Sequence, residues 1–194
     1  LSDVLAQHPE VTTAQRSDIF KSAWFMLKEE HTALVQELIQ QLEAQNPSNI
    51  GVPVVVTGIL TDAPGLTSLF DEFGLRVVAD DVAAESRQYR TDASTDGDPM
   101  ECLINKFRNL DNCSVLYDPD KKRIPMIVDL AKQHGAKGII FVLTKFCDPE
   151  EFDYPLLKKA CEAAGMPLVS IEADRQMVNY EQARTLLETF VEML

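Results

Sequence analysis

The sequence predicts a three-layer α/β domain: an open parallel sheet of four to five strands flanked by helices and preceded by a long N-terminal helix. Three observations carry this. Short apolar runs recur at 52–57, 75–79, 139–143 and 167–171, with a weaker one at 114–117. Amphipathic segments of helical period separate them. Glycine and proline mark the changes from one pattern to the other. Strands buried on both faces read as near-continuous apolar runs, and joining parallel strands requires long crossovers, usually helices.

Residues 1–18 are mixed and begin with a short helix, and Thr12 or Thr13 is placed to cap the turn that follows. From Asp18 to about Gln45, apolar residues three and four apart (Phe20, Ala23, Trp24, Leu27, Leu34, Leu38, Leu42) predict one long helix, stopped at Asn46-Pro47. His31 interrupts its apolar face and reads as structural. Val52–Thr57 is the first strand, rich in β-branched residues. A helix over 63–73 follows, with Thr61 or Asp62 as its cap and Gly74 as its stop. Leu75–Ala79 is the second strand, with Asp80 and Asp81 at its end.

The polar loop 91–98 leads to Pro99, which fits the first turn of a helix capped by Asp98. Ser114–Tyr117 is read as a short strand and Asp118–Arg123 as a charged, solvated turn. A helix over 123–134 buries Ile124, Ile127, Val128 and Ala131. The apolar run 139–143 gives way to Thr144-Lys-Phe-Cys147-Asp and then Pro149. A helix with Leu156, Leu157, Ala160, Cys161 and Ala164 on one face runs to Gly165. Pro167–Ile171 is the last strand, and a helix over 180–193 closes the pattern.

The chain has 194 residues, the size of one ordinary domain. Its net charge of −13, from 31 acidic and 18 basic residues, argues against nonspecific binding to nucleic acid or anionic membranes. No apolar run reaches the ~18 residues of a membrane span. The start has no basic segment before an apolar one, so no secretory signal is expected. The first residue is not Met, which fits a piece of a longer chain. The cysteines at 102, 113, 147 and 161 form no CxxC and have no histidine at metal-site spacing. They read as reduced thiols of a cytoplasmic protein.

Phosphate-binding GxxxxGK[ST] and GxGxxG segments are absent, as is GxSxG. His8, His31 and His134 lie away from the expected carboxyl edge of the sheet. At that edge four strand ends carry polar residues: Thr57, Asp80-Asp81, Lys145 to Asp148, and Glu172 to Gln176. Ligands of open α/β sheets bind there. Cys147 is the residue most in need of explanation, and the residues alone leave three readings open: a reactive thiolate beside Lys145, a metal ligand completed from elsewhere, or an inert loop cysteine.

Several segments resemble a known family. They are 77–90 (VVADDVAAESRQYR), 117–123 (YDPDKKR), 145–159 (KFCDPEEFDYPLLKK), 171–177 (IEADRQM) and 181–184 (EQAR). The chain resembles the C-terminal half of the β subunit of 2-hydroxyacyl-CoA dehydratases, especially the 2-hydroxyglutaryl-CoA type, within a wider family that includes benzoyl-CoA reductases. The resemblance implies a heterodimer with a homologous α subunit, reduced by a transient ATP-dependent iron–sulfur activator protein. It implies a 4Fe-4S cluster in each subunit, held by three cysteines. Cys147 matches the last of these; Cys102, Cys113 and Cys161 do not match the others, which belong to an N-terminal domain. Residues 1–48 are then a helical segment packing on or linking to that domain, and 49–194 a Rossmann/flavodoxin-like domain carrying one ligand.

The implied reaction is loss of water from an (R)-2-hydroxyacyl-CoA to an (E)-2-enoyl-CoA through a ketyl radical, with the acyl-CoA held mainly by the α subunit. By itself the chain is expected to hold no intact cluster and to be inactive. Lys145, Asp81, Glu85, Ser86, Arg87, Glu172 and Gln176 are cleft candidates beside the metal ligand Cys147, and no catalytic base is assigned. The alternatives are a benzoyl-CoA reductase-like subunit and a structural subunit without its own cluster.

Overall fold

The computed structural model describes residues 1–174 and 176–194. Four parallel strands stand in the order β2-β1-β3-β4: β1 is Val52–Gly58, β2 Leu75–Val82, β3 Gly138–Thr144 and β4 Leu168–Ala173. The chain moves outward from β1 to β2, then crosses back to β3 on the other side. β1 and β3 therefore flank the point where the winding reverses.

Alternation along the strands sends side chains into two cores. Val54, Val56, Ile140, Val142 and Ile171 pack against Leu66, Leu69 and Phe70 of α4 (Pro64–Glu72) and Ala183, Leu187 and Phe190 of α8 (Glu181–Glu192). Val55, Ile139 and Phe141 pack against Ile124, Ile127, Val128 and Ala131 of α6 (Arg123–Gln133) and Leu157 and Cys161 of α7 (Asp148–Ala164). The layers are α4 and α8, the sheet, and α6 and α7. Gly58 has φ +155°, and an added Cβ would stand 2.4 Å from the Val142 carbonyl oxygen, so only glycine lets β1 and β3 meet there.

One irregularity matters later. Val54 pairs with Val77 but Val55 pairs with Ala79, so Val78 is an extra residue in β2. Val78 and Ala79 consequently face the same core. Beyond this bulge the alternation of β2 is shifted by one.

The expected long N-terminal helix is instead two helices after a short α1 (Ser2–Leu5): α2 (Thr13–Ser22) and α3 (Lys28–Glu43). Thr12 caps α2 in a reciprocal box with Gln15. The break falls among Trp24, Phe25 and Leu27, which are exposed and do not belong to one buried stripe. Leu5, Phe20 and Leu42 hold this region together as a small core of its own.

Helix α5 (Pro99–Arg108) is capped by Asp98, which accepts from the Met100 and Glu101 amides as expected. The cap expected for α4 does not form: its N-cap is Ala63, while Asp62 accepts from Lys21 Nζ at 2.9 Å. The strand expected at 114–117 is absent. That segment forms turns with Val115, Leu116 and Tyr117 exposed, too short and too unpartnered to join a sheet. Among the described residues no helix is long and apolar enough to cross a membrane.

Candidate functional site

At the carboxyl edge, outside the ends of β1, β3 and β4, lies a cleft of about 330 Å³ lined by Leu60, Asp62, Thr144, Asp174 and Tyr180 among others. It sits by the winding reversal, where ligands of such sheets bind. The Thr144 hydroxyl is buried and has no partner among the described residues.

Thr144 also begins the turn that carries Cys147. The Lys145 amide donates to the Ala173 carbonyl at 2.9 Å, and the Cys147 amide to the Thr144 carbonyl at 3.0 Å. Phe146 between them has φ +64° and a side chain 90% exposed. A bulky residue in the left-handed region costs about 1 kcal/mol or more and persists only where its surroundings enforce it. Cys147 is the N-cap of α7, and its carbonyl accepts from the Glu150 and Glu151 amides, each at 3.0 Å. Its thiol is free and half-buried. Asp148, Glu150 and Glu151 in the first turn complement the helix dipole.

Beneath this turn lies a buried ionic network on the α6/α7 face. Asp81 is fully buried. It accepts from Arg123 Nε at 2.7 Å, from Arg87 Nε and Nη2 at 3.1 Å each, from Arg90 Nη2 at 2.8 Å and from the Thr57 hydroxyl at 2.9 Å. Arg123 also reaches Asp153 at 3.0 Å, Glu150 at 3.0 Å and Thr57 at 2.8 Å. Lys121 closes the set on Asp153 at 2.8 Å. Burial alone would push the Asp81 carboxyl up, but Arg123, Arg87 and Arg90 together hold it below its usual range. Burial likewise disfavours the Arg87 charge, and Asp81, with help from Glu150, keeps that guanidinium firmly protonated.

A second network lies on the opposite face. Arg16 of α2 pairs with Asp80 at 2.6 Å and with Glu85, which also faces the Thr61 hydroxyl. Burial pushes the Glu85 carboxyl up; Arg16 opposes this and Asp80 reinforces it. Ser86 ties the loop to the strand, donating to the Asp80 carbonyl at 2.7 Å.

The expected site residues therefore divide. Cys147, Lys145, Glu172 and Gln176 lie on the surface side, Lys145, Glu172 and Gln176 being exposed. Asp81, Glu85, Ser86 and Arg87 are buried in the networks rather than lining an open cleft. Arg175, within the Glu172–Gln176 stretch, lies outside the described residues. Cys102 is buried in α5, Cys113 sits 3.7 Å from Arg87 Nη1 in a turn rather than a strand, and burial pushes the Cys161 thiol up to about 11. Among the described residues no three His, Cys, Asp or Glu side chains converge to hold a metal. A thiol at the mouth of an edge turn suits a single ligand completed from elsewhere.

Sequence reasoning missed Arg16, Arg90, Arg123, Glu150 and Asp153. For three of them a signal existed. Arg123 precedes buried Ile127 and Ala131 at steps of four. Counting back from Cys161 and Leu157 by four and then three reaches Asp153 and Glu150. The turn 118–123, read as wholly solvated, thus ends in a buried arginine.

Because Asp81 is held below its usual 3.8, its stabilising contribution is complete above that value and is lost as pH falls through its lowered folded-state value. The urea midpoints of the wild type and Asp81→Asn should differ at neutral pH and converge below about pH 4. A gap that stays constant into acid would contradict this.

These observations define a parallel α/β domain with a cysteine-bearing turn at its carboxyl edge, braced from below by buried charge. The chain belongs to the 2-hydroxyglutaryl-CoA dehydratase D-component family, whose profile matches residues 1–194. It is 48% identical over 185 residues to the (R)-phenyllactyl-CoA dehydratase beta subunit of Clostridium sporogenes, covering 95% of this chain and 49% of that one. It is 42% identical over 195 residues to the lactoyl-CoA dehydratase subunit beta of Anaerotignum propionicum (98% and 52%). It is 39% identical over 194 residues to the (R)-2-hydroxyglutaryl-CoA dehydratase subunit beta of Acidaminococcus fermentans (97% and 51%). The chain spans about half the length of these curated relatives.

Proposed function

We propose that this chain is part of the β subunit of an (R)-2-hydroxyacyl-CoA dehydratase and contributes Cys147 as one ligand of a 4Fe-4S cluster. The observation that carries the proposal is the placement of Cys147 as a free, half-buried thiol on a strained edge turn, in a chain matched throughout by the D-component profile. The remaining ligands come from outside this chain's described residues. When bound, the cluster would supply one-electron chemistry, which suits removal of water from a thioester whose β-hydrogen is weakly acidic. The partners are a homologous α subunit, an ATP-dependent iron–sulfur activator and the acyl-CoA.

The chain's own residues hold and shield the ligand. The N-terminal end of α7, where Cys147 is the N-cap, favours negative charge on a bound group, and Lys145 stands two residues before it in the same turn. Glu172 and Gln176 at the neighbouring strand end face the partner or the cluster. Asp81, Glu85, Ser86 and Arg87 serve as scaffold. The acyl group is open among the kinds named for the relatives, since identities of 48%, 42% and 39% attach to phenyllactyl, lactoyl and 2-hydroxyglutaryl substrates.

The test is iron and acid-labile sulfide in the anaerobically purified full-length complex, beside Cys147→Ser. About four irons per β subunit, lost or labilised by the substitution, are expected. A complex whose iron is indifferent to Cys147 would refute the assignment. Assays with the three thioesters in parallel then select the substrate.

A further inference from the structure

We propose that Glu150 is a positioning residue for Cys147, clamped by Arg87 and Arg123 so that the cluster-bearing turn is fixed to the sheet. This rests on the reading of Cys147 as a ligand. Glu150 stands in the first turn of the helix that Cys147 caps, and its amide donates to the Cys147 carbonyl at 3.0 Å. Its side chain is fully buried. Oε1 forms an ion pair with Arg123 Nη2 at 3.0 Å and accepts from Arg87 Nη2 at 3.3 Å, while Oε2 is buried with no partner among the described residues.

Stability does not explain this arrangement. A buried carboxylate with an unsatisfied oxygen is costly, and an apolar side chain of similar volume is often as good or better. The helix dipole does not require it either, because exposed Glu151 and Asp148 serve the same helix end. What the buried charge adds is direction. Two arginines approach one carboxylate from β2's flank and from α6, and fix where α7 begins. Since Phe146 already holds the turn in a strained conformation, a loosened helix start would let the thiol drift from the geometry a metal requires.

The experiment uses the full-length complex, purified anaerobically with native β subunit or with Glu150→Gln, Glu150→Ala, Glu151→Gln, Leu187→Ala or Cys147→Ser. The readouts are iron release to a chelator, the electron paramagnetic resonance spectrum of the reduced protein, and the melting temperature. Glu150→Gln is expected to speed iron release by about ten-fold or more, the range for groups that orient metal ligands, with a changed spectrum. Glu150→Ala should be worse and Glu151→Gln unchanged. Leu187→Ala, in the core on the far side of the sheet, should lower the melting temperature without altering iron release.

The inference falls if both Glu150 variants release iron at the native rate with a native spectrum. It falls also if Leu187→Ala matches them at equal loss of melting temperature, or if neither Glu150 variant assembles, since each outcome makes the role purely structural. Iron indifferent to Cys147→Ser would overturn the ligand assignment itself. An altered cluster in Cys147→Ser beside native behaviour at Glu150 would overturn only the clamp.

Discussion

Replacing Arg123 with alanine is expected to cost about 3–5 kcal/mol of unfolding free energy, the range for removing one partner of a buried charge cluster. Arg123 is 3% exposed, and its guanidinium serves Asp81, Glu150, Asp153 and Thr57 at once. Its loss leaves Asp153 with Lys121, Glu150 with the longer Arg87 contact, and Asp81 with two of three arginines. Each carboxylate remains out of water, so the desolvation cost persists while the compensation shrinks. Lysine should rescue only partly, because a point charge cannot satisfy acceptors that a planar fork spans. Urea unfolding of the three proteins at neutral pH measures this. A loss under about 1 kcal/mol for alanine would show that water enters and solvates the carboxylates.

Phe141→Ala is expected to cost a similar amount, about 3–5 kcal/mol, by a different route. Phe141 is fully buried in β3, whose ladders on both sides hold its backbone in place. Its ring stacks on Tyr154 with centroids 5.5 Å apart. The surrounding strands cannot collapse into the gap, so the cavity penalty adds to the lost transfer energy. Leucine at this position should recover more than half. If alanine costs under about 2 kcal/mol, Tyr154 has swung into the void and the pocket is softer than its packing indicates.

The sheet, its crossover helices α4, α6 and α7, and the closing helix α8 were legible because their signals are redundant. β1, for example, shows β-branched residues, a glycine stop and a following amphipathic segment together. The break between α2 and α3 was not legible, since Trp24 and Leu27 continue a helical spacing while lying in solvent. Apolar period reports burial only where burial occurs. The same limit explains the segment 114–117. Cys147 was legible as the residue to explain, because strand end, helix start and cysteine coincide there. The ionic network was not, because hydropathy counts every charge as surface. Arg123 and Glu150 become visible only when a helix's buried stripe is extended into its charged first turn.

The bulge at Val78 gives Asp80 and Asp81 separate lives. Adjacent residues at the end of an undistorted strand also point apart, but the extra residue decides which aspartate meets which helices. Were Val78 to pair with Val55 instead of bulging, the two carboxylates would exchange faces, Asp80 turning to the side of Arg123 and Asp81 to that of Arg16. The chain thus carries a reading frame for charge, set by a single inserted residue.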